Sequence, residues 1–275
     1  MTVLELLEKT TRYFADHGVA SPRLTIELML ADALGKTRMQ LYLEFDQPVS
    51  DAVMDRLRPL VKRRADGEPL EYLLGHTTFA GHKISVTPDV LVPRPETEIL
   101  LEEAIKRIDS AGLPVLDVGT GSGILPLALA KKFPELEIVA VDISPAALAI
   151  ARRNTDGVGK ITLLESDLLE NPALPAQFQM ILANLPYIPS GALATLQREV
   201  RHEPRLALDG GADGLDLVRR LIGQSKGRTK CLGLELGDGQ ADEAKTLCLR
   251  AGYALIHILP DFTGRDRILI AERET

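Results

Sequence analysis

The first 74 residues carry apolar side chains at helical intervals. Thr2 and Glu5 have the spacing of a capping box, which is typical of a helix start. A second start follows at Ser21-Pro22, where a capping residue type precedes a proline, and Gly35 ends that helix. We therefore predict a small bundle of helices over this stretch.

From residue 75 to residue 95, apolar and polar residues alternate between glycines and prolines. That pattern is typical of a short β-hairpin. We predict that residues 75–95 are a β-hairpin connector between a helical domain, residues 1–74, and a larger domain, residues 96–275.

In the larger domain, short runs rich in β-branched residues alternate with helical stretches. The strand-like runs are 114–118, 137–141, 161–165, 179–184, 230–236, 253–259 and 267–272. Helical patterns begin at Ser122, Pro145 and Gln240, and a further one lies near 213–225. This alternation predicts an α/β fold with a doubly wound, mostly parallel sheet.

The net charge of the 275-residue chain is −7, so its overall electrostatic field does not attract the phosphate backbone of a nucleic acid. The basic segment 56–64 is interpreted as a solvated helix face rather than a nucleic-acid patch. We expect no direct contact with nucleic acid and a monomeric protein. The acids Glu199, Glu203 and Asp213, in the segment after the tetrapeptide 184–187, are expected at the surface, and a place at the border of a peptide entrance is the alternative.

Cysteines and histidines show no metal-ligand spacing. Cys231 and Cys248 stand alone and are predicted to be reduced thiols in the core, so no metal site is expected. The first ten residues carry acids where a signal peptide has a basic flank, and no run approaches the ~20 apolar residues of a membrane span. We expect a cytoplasmic protein without a membrane partner.

A glycine-rich turn joins the first strand-like run of the large domain to its helix. The turn follows Asp117 and consists of Gly119, Thr120, Gly121, Ser122 and Gly123. Asp142 ends the next strand, where a carboxylate suits the two hydroxyls of a ribose. A cofactor is therefore expected here, and a tight turn without a ligand is the alternative.

The spacing of the glycines indicates which cofactor binds. A dinucleotide fingerprint needs a third glycine at the position of Ile124, so the pattern is GxGxG and weighs against NAD. It resembles the S-adenosyl-L-methionine site of class I methyltransferases, where Asp117 would favour a cationic ligand over a diphosphate. Asp167 and Leu168 follow the third strand-like run and are candidates for contact with adenine, although a plain surface turn explains them equally.

A tetrapeptide after the fourth strand-like run is the candidate catalytic motif. Asn184, Leu185, Pro186 and Tyr187 resemble the (N/D/S)-P-P-(Y/F) motif of methyltransferases that act on nitrogen in planar groups. The Asn184 oxygen and the Leu185 carbonyl can both accept from an NH2 group, which fixes the nitrogen for methyl transfer. Proline rigidifies the loop, and the tyrosine offers a flat wall.

These motifs together resemble bacterial release-factor glutamine methyltransferases of the PrmC/HemK family. Two further stretches support the resemblance over essentially the full length, PRPETE at 93–98 and GGADGLD at 210–216. The resemblance implies a Rossmann-like class I methyltransferase sheet whose last strand is antiparallel, and a release-factor-binding helical domain. It also implies that the glutamine of the Gly-Gly-Gln motif of release factors is methylated on N5 with S-adenosyl-L-methionine, which serves translation termination.

In the family pattern, Gly119 to Gly123, Asp142, Leu168 and Asn184 would touch the cofactor, and Asn184 to Tyr187 the glutamine. Leu185 stands where the family has proline, and Asn-Leu-Pro-Tyr also resembles N6-adenine methyltransferases acting on RNA or DNA. That activity is the alternative function. A non-catalytic binding module and an NAD oxidoreductase are further alternatives.

Overall fold

The computed structural model describes residues 1–109 and 112–274. These residues form two compact units. The first consists of Met1–His76 together with Gln197–His202, and the second of the other described residues from Thr77 onwards. No helix in the described ranges is long and apolar enough to cross a bilayer.

Five helices build the first unit. They are α1 (Val3–Asp16), α2 (Pro22–Leu34), α3 (Arg38–Leu43), α4 (Asp51–Ala65) and α5 (Leu70–Leu74). The apolar faces predicted from the sequence meet in one core, in which Leu7, Phe14 and Ile26 are fully buried. The helical bundle is therefore confirmed.

The two predicted helix starts differ in their capping. Thr2 and Glu5 form the expected box, with the Glu5 amide donating to Thr2 Oγ1 at 3.2 Å and the Thr2 amide donating to Glu5 Oε2 at 3.0 Å. The Ser21 side chain makes no capping hydrogen bond, so that part of the prediction was wrong. Its φ of 47° is left-handed, whereas a capping residue usually has extended backbone.

A short segment from far along the chain completes the first unit. Within residues 197–202, Glu199 accepts a hydrogen bond at 2.6 Å from the guanidinium of Arg64, whose side chain is 4% exposed. Arg198 donates to the Ala65 carbonyl at 2.9 Å. Both contacts fasten the segment to the C-terminal end of α4.

A two-stranded hairpin begins at His76, the residue at which the chain leaves the first unit, and one large sheet follows it. The hairpin strands are β1 (His76–Phe79) and β2 (His82–Ser85). The sheet strands are β3 (Val115–Val118), β4 (Glu137–Asp142), β5 (Lys160–Glu165), β6 (Phe178–Ala183), β7 (Thr229–Glu235), β8 (Leu255–Pro260) and β9 (Asp266–Glu272).

Helices and short 3-10 turns connect these strands. The helices are α6 (Glu96–Ile105), α7 (Ile124–Lys132), α8 (Pro145–Thr155), α9 (Asp216–Ser225) and α10 (Ala241–Arg250). Between β6 and α9 the chain makes 3-10 turns at Ser190–Thr195, Val200–His202 and Arg205–Ala207.

The strand order in the sheet is β5-β4-β3-β6-β7-β9-β8. All pairs from β5 to β7 are parallel, and β9 runs antiparallel to both β7 and β8. This is the class I methyltransferase sheet with the expected antiparallel last strand.

Neighbouring residues of β3 point into different cores, as alternation along a strand requires. Val115 packs with the apolar residues of α6 and α7, and Leu116 packs with those of α9 and α10. The parallel strands are therefore buried on both faces. Their carboxyl ends lie at one edge of the sheet, where ligands bind in folds of this kind.

Candidate active site

A cleft of about 240 Å³ lies at the carboxyl ends of β3, β4 and β6. Its walls include ten predicted site residues, which are Gly119, Thr120, Gly121, Ser122, Asp142, Asp167, Leu168, Asn184, Leu185 and Pro186. The fold therefore brings together residues that are up to 67 positions apart in the chain, Gly119 and Pro186.

The glycine-rich turn is fixed to the end of β4. The amides of Gly119 and Thr120 both donate to the Val141 carbonyl at 2.9 Å. Gly119 has a φ of 73°, and a Cβ added there would lie 3.0 Å from the Leu185 side chain. Glycine at this position therefore permits both the left-handed backbone and the close approach of the tetrapeptide loop.

Asp142 organises the turn from the neighbouring strand. Its Oδ2 accepts from the Gly121 amide and its Oδ1 from the Ser144 amide, both at 2.9 Å. Burial raises the pKa of its carboxyl, and the two amide donors oppose that rise. Each oxygen keeps a lone pair with which to accept a hydroxyl proton from a ligand.

Asp117 is the most buried acid of the cleft, with 2% of its surface exposed. Burial raises its pKa to about 7, and the nearby Asp142 carboxylate adds to the rise. Its Oδ2 and the Thr120 Oγ1 are buried without a hydrogen-bond partner among the described residues. Buried polar atoms in native proteins normally have partners, so these two atoms fit a ligand that supplies hydrogen-bond donors.

The predicted adenine contacts lie on a strained turn after β5. Leu168 is buried and has a φ of 50°, which is unusual for a residue with a side chain. Ser166 Oγ donates to the Leu168 carbonyl at 2.7 Å and holds this conformation. Asp167 also lines the cleft, where its Oδ2 accepts from Arg220 of α9 at 2.8 Å.

Asn184 begins the tetrapeptide at the end of β6. Its Nδ2 donates to Thr97 Oγ1 at 3.0 Å, and Thr97 Oγ1 donates to Glu235 Oε2 at 2.7 Å. The amide nitrogen is thereby directed at α6, which leaves Oδ1 as the atom available to a ligand. Thr97 comes from the PRPETE stretch, which also lines the cleft through Pro93 and Arg94.

The GGADGLD stretch packs against the backbone of the tetrapeptide loop. A Cβ at Gly210 would lie 2.6 Å from the Pro186 carbonyl oxygen, and one at Gly214 would lie 2.1 Å from the Tyr187 carbonyl oxygen. Only glycine allows this approach. Gln240 adds a hydrogen bond from its Nε2 to the Tyr187 oxygen at 2.9 Å.

Two predicted site residues do not line the cleft. Gly123 is the N-cap of α7, where an added Cβ would lie 3.1 Å from Ala151. Tyr187 is not among the residues that line the cleft, and the Arg267 guanidinium lies 5.8 Å from the centroid of its ring. Burial raises the pKa of its hydroxyl to about 12.

Several residues of the site were missed by sequence reasoning. Glu203, expected at the surface, is 6% exposed and accepts from the Val92 amide at 3.1 Å and from the Arg94 guanidinium. It joins the segment at 92–94 to the segment at 203–207, and both border the cleft. Asn154 of α8 donates to the carbonyls of Ser122 and Ser85 and so links the glycine turn to β2.

The cleft thus contains acidic and hydroxyl oxygens that favour a cation, together with hydrogen-bond acceptors for a diol and for an amide. Carboxylate and hydroxyl oxygens at Asp117 and Thr120 suit an ammonium group, and the Asp142 oxygens suit a ribose. These are the groups that the expected cofactor carries, so the residues present fit it. Asn184 lines the same cleft.

Two family profiles match the chain. The profile described as PrmC N-terminal domain matches residues 5–75, and the profile described as Methyltransferase domain matches residues 115–203.

Individual relatives match over nearly the whole length. The release factor glutamine methyltransferase of Geobacter sulfurreducens is 42% identical over 98% of this chain and 95% of its own. That of Moorella thermoacetica is 40% identical over 99% of both chains. Among solved structures, one similar chain is the human Mettl16 catalytic domain in complex with a MAT2A 3′ UTR hairpin, with a TM-score of 0.58 and 13% identity. The match covers 84% of this chain and 95% of that one and shows a shared fold. The chain belongs to the release factor glutamine methyltransferase family.

Proposed function

We propose that the protein transfers the methyl group of S-adenosyl-L-methionine to the N5 amide nitrogen of the glutamine in the Gly-Gly-Gln motif of peptide-chain release factors. The observation that carries the proposal is the orientation of Asn184, whose amide nitrogen is held by Thr97 so that Oδ1 is left for a ligand at the cleft. The family to which the chain belongs supports the choice of substrate.

Residues of the second unit would hold the cofactor, which supplies an electrophilic methyl group on a sulfonium. Asp117 and Thr120 would bind its ammonium group with the two buried oxygens that lack partners among the described residues. Asp142 would accept the protons of the ribose hydroxyls. Leu168 would pack against the adenine, and Asp167 would accept from its amino group with the oxygen that Arg220 leaves free.

The tetrapeptide would orient the glutamine. An amide nitrogen is a poor nucleophile because its lone pair is delocalised into the carbonyl. Asn184 Oδ1 and the Leu185 carbonyl oxygen would accept its two protons and so aim the lone-pair direction at the methyl group. Pro186 keeps the loop rigid. The part of Tyr187 as a flat wall stays a prediction, since its ring does not line the cleft.

The remaining expectations concern partners and location. The helical domain, residues 1–74, would bind the release factor. The four arginines of the basic segment are paired with carboxylates, Arg56 with Asp32, Arg58 with Asp55, Arg63 with Glu68 and Arg64 with Glu199. This pairing lowers the charge available to a phosphate backbone and supports a protein substrate over RNA or DNA. We propose that the protein is cytoplasmic and monomeric.

Methyl incorporation from labelled S-adenosyl-L-methionine tests the activity directly. The substrates are a release factor, the same factor with alanine in place of the glutamine of Gly-Gly-Gln, and a pool of ribosomal RNA. We expect label only in the intact factor, at the glutamine located by peptide mass spectrometry. Label in the RNA, or equal label in the alanine variant, would contradict the proposal.

The Asn184→Ala variant tests the assigned role of that side chain. We expect it to bind S-adenosyl-L-methionine with a Kd close to that of the unaltered protein, measured by calorimetry. Its kcat should fall by roughly a hundredfold or more, because an orienting acceptor is lost. Unchanged methylation by this variant would refute the role.

A further inference from the structure

We infer that Thr97 and Glu235 are positioning residues that decide which end of the Asn184 amide faces the glutamine. The inference deepens the proposed function and rests on it. Neither side chain would touch the reacting atoms, since both act through Asn184. They would make methylation depend on a single proton that lies two hydrogen bonds away from the substrate.

The three side chains form one hydrogen-bonded chain across two elements. Thr97 on α6 and Glu235 at the end of β7 are each 1% exposed, so water does not compete for their hydrogen bonds. The Thr97 hydroxyl donates to Glu235 Oε2 at 2.7 Å and accepts from Asn184 Nδ2 at 3.0 Å. The other carboxylate oxygen, Oε1, is buried and has no hydrogen-bond partner among the described residues.

The donors and acceptors of these three side chains determine the direction of both hydrogen bonds. An ionised carboxylate can only accept, so the single hydroxyl proton of Thr97 must point at Glu235. Thr97 then offers only lone pairs to Asn184, and a lone pair can meet the NH2 group but not the carbonyl oxygen. Asn184 Oδ1 is therefore turned away from Thr97, where it can accept from the glutamine.

Protonation of Glu235 permits the opposite arrangement. A neutral carboxyl donates its own proton to Thr97 Oγ1, and the Thr97 hydroxyl becomes free to donate to Asn184 Oδ1. The Asn184 amide then turns its NH2 group outward, and that group cannot accept a proton from the glutamine amide. We expect this arrangement to predominate when Glu235 is protonated, so that the enzyme is active only with Glu235 ionised.

The surroundings of Glu235 place this switch near neutral pH. Burial raises the pKa of its carboxyl to about 7, and Glu96 adds to the rise. Arg267 of β9 and Arg94 oppose it, but both guanidiniums are engaged elsewhere, with Asp261 and Glu203 respectively. Tyr187 faces the same carboxylate and stays neutral, since its own pKa is raised to about 12.

The dependence of kcat on pH tests the inference at saturating cofactor and release factor. In the unaltered enzyme we expect kcat to fall about tenfold from pH 8 to pH 6, as one essential base becomes protonated. In the Glu235→Gln variant, the fall should shrink to less than about twofold, because the replacing amide does not titrate in this range. Asp117 would bind the cofactor, so its ionisation is expected to change the KM for cofactor rather than kcat.

Two variants of Thr97 separate positioning from mere packing. Thr97→Val keeps the volume but removes the hydroxyl, so we expect a roughly tenfold lower kcat, no pH dependence between pH 6 and pH 8, and a KM for cofactor changed by less than about twofold. Thr97→Ser keeps the hydroxyl and should restore both the rate and the pH dependence.

Glu103→Gln is the matched control for the loss of a buried carboxylate. Glu103 lies on α6, is 6% exposed and is paired with Lys106 and Arg107 outside the cleft. This variant should retain the fall in kcat below pH 7. Thermal unfolding of each variant shows whether it is folded at the assay temperature.

The results distinguish the inference from the proposed function. If the unaltered enzyme methylates no release factor, the proposed function fails first. If it does so and the Glu235→Gln variant keeps the same tenfold fall between pH 8 and pH 6, the inference alone is overturned. A Thr97→Val variant with unchanged kcat and unchanged pH dependence would overturn it as well.

Discussion

Among single residues, Asp117 lowers the folding stability of the protein at neutral pH while it provides a carboxylate for cofactor binding. Its pKa is raised from 3.8 to about 7 because burial disfavours the charged form. A folded state that holds its proton more tightly than the unfolded state is stabilised at low pH. That stabilisation is complete below pH 4 and is lost as the pH rises to about 7. Without cofactor, the ionised Asp117 therefore destabilises the fold at neutral pH.

Asp117→Asn is expected to stabilise the protein without cofactor at pH 8 by about 2 to 4 kcal/mol, since three pKa units correspond to about 4 kcal/mol. It should weaken cofactor binding more than tenfold, because the carboxylate no longer faces a cation. Thermal unfolding at pH 5 and pH 8 and calorimetric titration measure the two effects.

Asp156→Asn removes an exposed carboxylate at the end of α8 and serves as the control, expected to change neither quantity. A lower melting temperature of Asp117→Asn at pH 8 would show that the buried charge is compensated in the fold.

The residues found from the sequence lie in or beside a recognisable motif at the end of a strand. Asp117, Asp142 and Asn184 could be identified because parallel strands bring their carboxyl ends to one edge. Glu235 also ends a strand, β7, but it belongs to no motif. Thr97 lies in a helix, and the contacts that bring it to Asn184 and Glu235 span 87 and 138 positions. A buried glutamate has no sequence pattern that tells it from an exposed one, and Glu203 was misplaced for the same reason.

At the level of elements, the glycines of the 210–216 segment act as a template for the catalytic loop. Gly210 donates its amide to the Ile188 carbonyl at 2.9 Å, and the Ile188 amide donates to the Leu208 carbonyl at 3.0 Å. The two backbones are therefore paired as well as in contact. The position of the Leu185 and Pro186 carbonyls depends on this pairing.

Gly210→Ala should push the tetrapeptide loop out of place, since the added Cβ would lie 2.6 Å from the Pro186 oxygen and 2.7 Å from the Gly214 oxygen. We expect kcat to fall by tenfold to about a hundredfold and stability by about 1 to 3 kcal/mol. Steady-state methylation and chemical denaturation measure these changes.

Gly223→Ala is the matched control at an exposed position of α9, where an added Cβ would meet nothing within 4 Å. It should be neutral or stabilising by up to about 1 kcal/mol. If Gly210→Ala behaves like this control, the loop does not depend on the glycine template.

Elements with a clear period were predicted to within a few residues of their ends. The run 161–165 is β5, Lys160–Glu165, and the helix placed near 213–225 is α9, Asp216–Ser225. The 3-10 turns between Ser190 and Ala207 were not predicted, because their side chains follow neither a helical nor a strand period. Their course is set by contacts with residues distant in sequence.

In the whole molecule, the chain crosses between the two units three times. It leaves the first unit after His76, returns to it at Gln197 and leaves again after His202. The returning segment is held by the buried guanidinium of Arg64, which also donates to the Glu68 carbonyl at 2.9 Å. The segment's order thus depends on a helix more than 130 residues earlier.

Arg64→Met keeps the apolar stem of the side chain but removes its charge. We expect trypsin to cleave after Arg198 and Arg201 roughly tenfold faster, because loss of a buried charged hydrogen bond raises the population of the open segment. Cofactor affinity should not change. Timed digestion followed by mass spectrometry locates and quantifies the cuts.

Arg58→Met, on the same helix but 72% exposed, should leave the cleavage rate as it is. Equal rates for the two variants would mean that other contacts hold the segment.

The six residues from Gln197 to His202 also limit how this architecture can be rearranged by recombination. An exchange that replaced only the N-terminal helices with those of another protein would leave this segment without its partners Arg64 and Ala65. Grafting would succeed only if the matching hexapeptide were transplanted as well. The N-terminal helices are thus not exchangeable on their own. Substitutions on their surface are expected to be accompanied by substitutions in residues 197–202.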